Sequence, residues 1–411
     1  MKHWRRWLSI TLGVALCWGW GLVVFGAVPQ PPSATTPELE TPAPLAAAFE
    51  SANHAAELAQ TARSTPEWNR VAQAWAGAIH HLHELPIDSP KQVFAQRQSR
   101  VYGQNLAIAQ QQAERASRPR VFPSLGSQVL DDQLGVYLSY LATFGAPDIL
   151  VVGSSRALQG IDPQVLQGAL ANQGVSPVRV YTFGVNGATA QMVSFLLRQV
   201  LTSEQLPRFI LWADGSRAFN SGRVDRTFAA VLASPGYGVI QAGPRPTLGW
   251  TATPGMPAAN PIPGSAINGY GFLPVTDIFN PNTYYQRFPR VSGQYDSTYQ
   301  PFSLEGVQTL SLRAIATFAK SRNTPLVFVN LPLSNDYLDA TRLQYERQFQ
   351  QYLRQESTQG DFIVVDLLEQ WRGQDRFFAD PSHLNQTGAQ QLSRQLATLR
   401  TIPWQSLQPP A

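Results

Sequence analysis

The stretch "DILVVGSSRALQGIDP", residues 148–163, decides how the rest of the chain is read. An apolar run rich in valine and isoleucine stops at Gly153, then Ser154, Ser155 and Arg156 follow and a helix-like segment resumes. Small residues between a buried strand and a helix make an ordinary βα turn. The same arrangement holds a serine hydroxyl at a strand mouth, beside helical N–H groups that have no intrahelical partner. What the chain places at its other strand ends must separate a nucleophile from a turn.

Outward from this stretch, short apolar runs alternate with amphipathic ones. A helix at about 129–144 precedes "DILVVG", and a helix near 163–173 leads to the strand "VRVYTFG". The helix "TAQMVSFLLRQVL", the strand "RFILWAD", a long irregular insert at about 221–303 and the helix "GVQTLSLRAIATFAKSR" come next. The strand "PLVFVNLP", a helix near 336–357, the strand "FIVVDL" and the helix "GAQQLSRQLATL" complete the series. This alternation predicts a parallel sheet covered on both faces, with ligands at the carboxyl ends of the strands.

Three of those ends carry polar blocks: "GSSR" at 153–156, "GVNGAT" at 184–189, and "FFADPSHLNQTG", where Asp380 and His383 lie three apart before the last helix. "DPSHLN" alone also reads as a capped turn, with Asn385 or Thr387 starting the helix. In this order the blocks resemble the SGNH, or GDSL-like, hydrolase superfamily over roughly residues 145–400. The resemblance implies a flavodoxin-like three-layer α/β domain, here bounded at about 129–405. It implies Ser155 as nucleophile, His383 as base and Asp380 as the group orienting it, with the Ser155 and Gly187 N–H groups in the oxyanion hole. A serine hydroxyl needs a neighbouring imidazole to take its proton, and a carboxylate on the far ring nitrogen fixes the tautomer. The chain departs at the third block: "DGSRAFN" replaces Gly-x-Asn-Asp, leaving Ser216 or, a turn later, Asn220 as the stand-in. The first block has Ser154 where the family has aspartate. Gly-Ser-Ser starts occur in membrane-anchored envelope members, the proteins of alginate O-acetylation and of D-alanyl transfer to lipoteichoic acid, which this chain is similar to in layout.

Arg156 and Arg217 each follow a small-residue pair at a strand end and are candidate substrate-binding cations; the competing reading pairs them with Asp162 or Asp214. Glycine, proline and aromatic residues in the insert suggest a lid whose rings either stack on a sugar or form the lid's own core.

The chain has 411 residues, 44% hydrophobic and 14% charged, enough for two folded units. Its formal charge of +4 includes Lys2, Arg5 and Arg6, leaving about +1 beyond residue 28. With scattered arginines and three lysines, no stripe follows a phosphate backbone, and a nucleic-acid role is set aside. Cys17 is the single cysteine, so the folded part has neither disulfide nor cysteine metal site. No dinucleotide or Walker glycine motif is present, and neither cofactor nor metal is expected.

Residues 1–28 begin with those three positive charges and continue with 22 uncharged residues, Trp7–Val28, about 33 Å as a helix. They read as a transmembrane anchor with the bulk of the chain on the extracytoplasmic, periplasmic side; a cleaved signal is the rival. A Pro-rich tether spans 29–44. Residues 45–117 read as a helical hairpin region, with Trp68, Val71, Trp75, Ile79 and Leu82 as one apolar stripe. His80, His81 and His83 lack a third ligand at matching spacing and read as surface residues. A second linker is placed at 118–128, where two prolines and a glycine interrupt the helical pattern.

The resulting expectation is an exported, membrane-anchored serine esterase or O-acyltransferase acting on acyl, chiefly acetyl, groups of an envelope or extracellular polysaccharide. A membrane acyl-donor protein is the implied partner. The alternatives are an inactive SGNH-fold scaffold or glycan-binding protein, and an adaptor in which the helical region is the active part.

Overall fold

The computed structural model of the chain describes residues 42–62, 65–86, 88–116, 122–175, 177–247 and 266–408. The anchor expected at 7–28, nearly all of the tether, residues 117–121 and residues 248–265 of the insert lie outside these. Among the described residues no helix is long and apolar enough to cross a membrane. The chain divides between Pro119 and Arg120 into two compact units.

The first unit contains α1 (Ala43–Thr61), α2 (Thr65–His83) and α3 (Gln92–Ala116). Ala48, Ala52, Ala55 and Ala59 recur at helical spacing on the buried face of α1, where small side chains allow close approach. α2 packs on both other helices and contributes Val71, Trp75 and Leu82 to the core, with Trp75 against Tyr102 of α3 at 5.2 Å. Trp68 and Ile79 flank that core, half-buried.

The second unit begins earlier than its sequence suggests. Phe122 and Leu125 are buried in its core, and Asp131 accepts the Leu125 N–H at 2.7 Å and the Ser124 hydroxyl at 2.6 Å. Pro123 and Gly126, read as part of a linker, therefore lie in a folded segment. In order follow α4 (Gln128–Phe144), β1 (Ile149–Gly153), α5 (Ser155–Gly160), α6 (Pro163–Asn172), β2 (Val180–Gly184), α7 (Ala190–Phe195) and β3 (Phe209–Asp214). The insert carries α8 (Arg226–Leu232), α9 (Pro235–Gln241) and α10 (Pro281–Arg287). The unit ends with α11 (Val307–Ser321), β4 (Leu326–Asn330), α12 (Ala340–Gly360), β5 (Ile363–Asp366), a hairpin of β6 (Phe378–Asp380) and β7 (His383–Leu384), and α13 (Gln386–Thr398).

Strands β1 to β5 form one parallel sheet in the order β2-β1-β3-β4-β5. Alternate residues supply opposite faces. Leu150, Val152, Tyr181, Phe183, Ile210, Trp212 and Phe328 pack with residues of α4, α7, α11 and α12. Ile149, Val151, Val180, Phe209, Leu211 and Val329 pack with Leu166 and Leu170 of α6 and Leu392 and Leu396 of α13. With both faces buried the strands are continuously apolar, as the sequence reading of a doubly covered sheet requires.

The chain leaves β1 for β2 on one side and returns to β3 on the other, so the order reverses beside β1. Crevices at such a reversal are where open α/β sheets bind ligands. Gly153 closes β1 there at φ +148°, and a β-carbon on it would lie 2.2 Å from the Ala213 carbonyl oxygen. Replacing Gly153 by alanine is therefore expected to cost about 2 kcal/mol or more of stability, measured by urea denaturation; an unchanged midpoint would contradict the tight β1–β3 approach.

Candidate active site

Ser155 is the first residue of α5, directly beyond the end of β1, and Ser154 is its N-cap, accepting the Arg156 N–H at 3.3 Å. As a first-turn residue Ser155 has no intrahelical carbonyl for its N–H, which stays at the positive end of the helix.

The β6–β7 hairpin brings in the other two groups. Asp380 pairs with His383 across the two-residue turn Pro381–Ser382. Asn385 then caps α13, accepting the Gly388 N–H at 2.9 Å while its amide donates to the Arg376 and Phe378 carbonyls. This ties the hairpin to the helix behind it. His383 Nδ1 donates to Asp380 Oδ2 at 2.8 Å, and His383 Nε2 lies 2.8 Å from Ser155 Oγ, whose proton it is placed to accept. Asp380 Oδ1 accepts the Ser382 and His383 N–H groups at 2.8 and 3.1 Å and the Ser382 hydroxyl at 3.2 Å. Ser155, His383 and Asp380 are 6%, 5% and 2% exposed, so the proton path is shielded from bulk water. Burial pushes the Asp380 carboxyl up, but His383, the donors of Ser382 and the more distant Arg217 outweigh it and hold the group below the usual carboxylate range.

Gly187 stands in the turn after β2, whose end is in register with Gly153. Ala188 N–H donates to the Val185 carbonyl at 3.0 Å, and Gly187, third in that turn, has φ +69°, the type II geometry that favours glycine. The start of the insert clamps this turn. Arg223 Nη2 donates to the Gly187 carbonyl at 2.8 Å, and the Thr227 hydroxyl to the Asn186 carbonyl at 3.1 Å.

Three other candidates are engaged elsewhere. Ser216, buried, donates its hydroxyl to Glu346 Oε1 at 2.6 Å, pointing into α12. Asn220, also buried, donates to the Thr298 carbonyl at 3.1 Å and accepts the Gly222 and Ser303 N–H groups at 3.0 and 2.9 Å, pinning the two ends of the insert together. The Ser216 hydroxyl proton is thereby committed to Glu346, and one of the two Asn220 amide protons to the Thr298 carbonyl. Arg156, 4% exposed, donates Nη2 to the Leu331 and Pro332 carbonyls at 2.6 and 3.0 Å, so it secures the loop after β4 rather than presenting itself to substrate. Asp162 does not pair with it; its carboxylate caps α6.

Arg217 is half-buried and donates Nη1 to the Tyr337 hydroxyl at 3.2 Å. It is the candidate cation whose charge bears on Asp380. His80 and His81 both meet Glu84, at 3.4 and 3.0 Å, and among the described residues no cluster of three or more histidine, cysteine or acidic side chains could hold a metal.

Two acids hold more of the site than the sequence reading gave them: it offered Asp214 only as a possible arginine partner and did not single out Glu346. Asp214, the last residue of β3, is 1% exposed and accepts both the N–H and the hydroxyl of Ser154. Burial pushes its carboxyl up, opposed by Arg156 and by the Ser154 and Gly215 donors. Glu346 is fully buried in α12, where Oε1 accepts from Ser216 and from the Tyr299 hydroxyl; burial raises it against those donors and both arginines. Its position on the stripe Arg342, Glu346, Phe349, Leu353 and Glu356 was the available signal, since an acid on a buried helix face needs partners.

No protein-family model matches the chain, and no curated protein matches it.

Because Asp380 is held low when folded, its charge stabilises the fold above about pH 4, the ordinary aspartate value, and that contribution is lost as pH falls through the lower folded value. Urea denaturation should find Asp380→Asn less stable than wild type by about 1–3 kcal/mol near neutrality, with the gap narrowing below pH 4; a gap independent of pH would contradict the assignment.

Proposed function

We propose that the second unit is an SGNH-like serine esterase or O-acyltransferase. One observation carries this: Ser155 Oγ, His383 Nε2, His383 Nδ1 and Asp380 Oδ2 form an unbroken chain of 2.8 Å contacts at the mouth of β1. The strand order, the serine at the first strand's end, the glycine turn after the second strand and the acid–histidine block before the last helix support placing the chain with that superfamily.

In the reaction, Ser155 Oγ attacks an ester carbonyl as its proton passes to His383 Nε2. The negative oxygen that forms meets the Ser155 and Gly187 N–H groups, and each such donor is worth about 3 kcal/mol. Collapse expels the alcohol, which takes the proton from His383, and leaves an acyl group on Ser155. Water, or a second hydroxyl in a transferase, gives its proton to His383 and attacks the acyl carbon; collapse then breaks the bond to Ser155 Oγ, which takes the proton back from His383 as the acid or new ester leaves. Asp380 holds the imidazole in the tautomer both steps use and stabilises the imidazolium.

The acyl group we favour is acetyl, carried by an envelope or extracellular polysaccharide. Transfer outside the cell needs an acyl donor, for which a membrane protein is the partner we infer. The N-terminal apolar segment motivates the membrane-anchored, extracytoplasmic placement. Engagement of Ser216 and Asn220 elsewhere favours one second reading, a scaffold of this fold that binds glycan without catalysis.

The readings separate on p-nitrophenyl acetate hydrolysis by the purified chain and its Ser155→Ala variant. An enzyme should lose activity on the order of 10⁴-fold or more. Equal rates in the two proteins would eliminate Ser155 as nucleophile.

A further inference from the structure

The reaction above leaves unused the buried carboxyl of the site, Asp214. Its Oδ2 accepts the Ser154 N–H at 2.8 Å, and its Oδ1 accepts the Ser154 hydroxyl at 2.9 Å and the Gly215 N–H at 3.0 Å. We propose that Asp214 is the positioning residue of the nucleophile. By taking both donors of Ser154 it sets the entry of α5, so that the next hydroxyl, Ser155 Oγ, is aimed at His383. The Ser155 N–H then remains for the oxyanion. The proposal rests on Ser155 being the nucleophile.

Several features suit Asp214 to this task. It ends the central strand of the sheet, between β1 and β4; its own carbonyl accepts the Leu331 N–H at 2.9 Å on the β4 side, while its carboxylate holds Ser154 on the β1 side. Ser154 carries no charge, so the acid that organises the turn comes from the neighbouring strand. Only a carboxylate offers two oxygens that both accept; an amide in its place would turn a donor towards either the Ser154 N–H or the Gly215 N–H. A buried negative charge beside an oxyanion would ordinarily oppose catalysis. Here Arg156 offsets it: the Leu331 and Pro332 carbonyls hold its guanidinium, and Nη1 lies 1.8 Å from where a β-carbon on Gly215 would stand. Glycine at 215 keeps that cation against the end of β3.

The test uses the whole second unit in the full chain, with kcat and KM for p-nitrophenyl acetate, the rate of fluorophosphonate labelling at Ser155 and the melting temperature measured together. Asp214→Asn should lower kcat and the labelling rate by about 30-fold, the order expected for losing a charge-assisted hydrogen bond, with KM within about twofold. Ser154→Ala, which keeps the N–H and loses the hydroxyl, should lose roughly 3- to 10-fold, and Ser154→Thr, which restores the hydroxyl, should recover most of it. Labelling and kcat of Asp214→Asn equal to wild type would overturn the proposal. If that variant fails to fold, an unaffected Ser154→Ala overturns it instead. A rise in KM that tracks melting temperature across the variants would mark Asp214 as merely structural and also overturn it. If wild type itself is not labelled at Ser155, the nucleophile assignment fails, and this proposal falls with it.

Discussion

Parallel strands end on one edge, and in this protein that edge gathers a row of buried, mutually bonded polar side chains. Register sets Asp214 beside Asn330, and Asn330 beside Asp366, while Ser154 bonds to Asp214 from the far side. Asn330 Nδ2 donates to Asp366 Oδ1 at 2.9 Å, extending the row. Polar groups buried at the sheet edge must find partners, and satisfying them fixes where each loop leaves its strand. Ser155 is aimed by that arrangement before His383 is considered.

The hairpin carrying His383 comes from the far end of the chain, and 228 residues separate the two partners. Its approach is governed by packing: Phe378 and Leu384 are buried in the same core as Leu392 and Leu396 of α13. The apolar face of the last helix and the catalytic geometry are thus one constraint. The third strand end has gone another way. Ser216, Tyr299 and Glu346 bond together there, linking the β3 loop, the insert and α12. A polar cluster fills the region where the resembled family would present an asparagine.

The sheet and its covering helices were legible because they depend on local pattern, apolar runs of strand length and helical stripes; Ser155, His383 and Asp380 were singled out through the resemblance carried by the order of their blocks, and the structure brings the three side chains together. The partners of Arg156, Ser216 and Asn220 were not legible because sequence places a side chain at a strand end without giving its direction. Arg156 turns back to the Leu331 and Pro332 carbonyls, whose proximity depends on β1, β3 and β4 lying side by side. The bond from Ser154 to Asp214 was out of reach for the same reason, since the two lie 60 residues apart, at the ends of neighbouring strands. Phe122 and Leu125 were passed over because neighbouring prolines and a glycine gave the segment a linker's composition.

The most direct measurement is rapid quenching of the enzyme with p-nitrophenyl acetate, followed by peptide mass mapping. The account predicts one added acetyl group on the peptide containing Ser155, absent in Ser155→Ala and formed far more slowly in His383→Ala. Acetyl found on another residue, or a Ser155 peptide unmodified while ester is being cleaved, would contradict it.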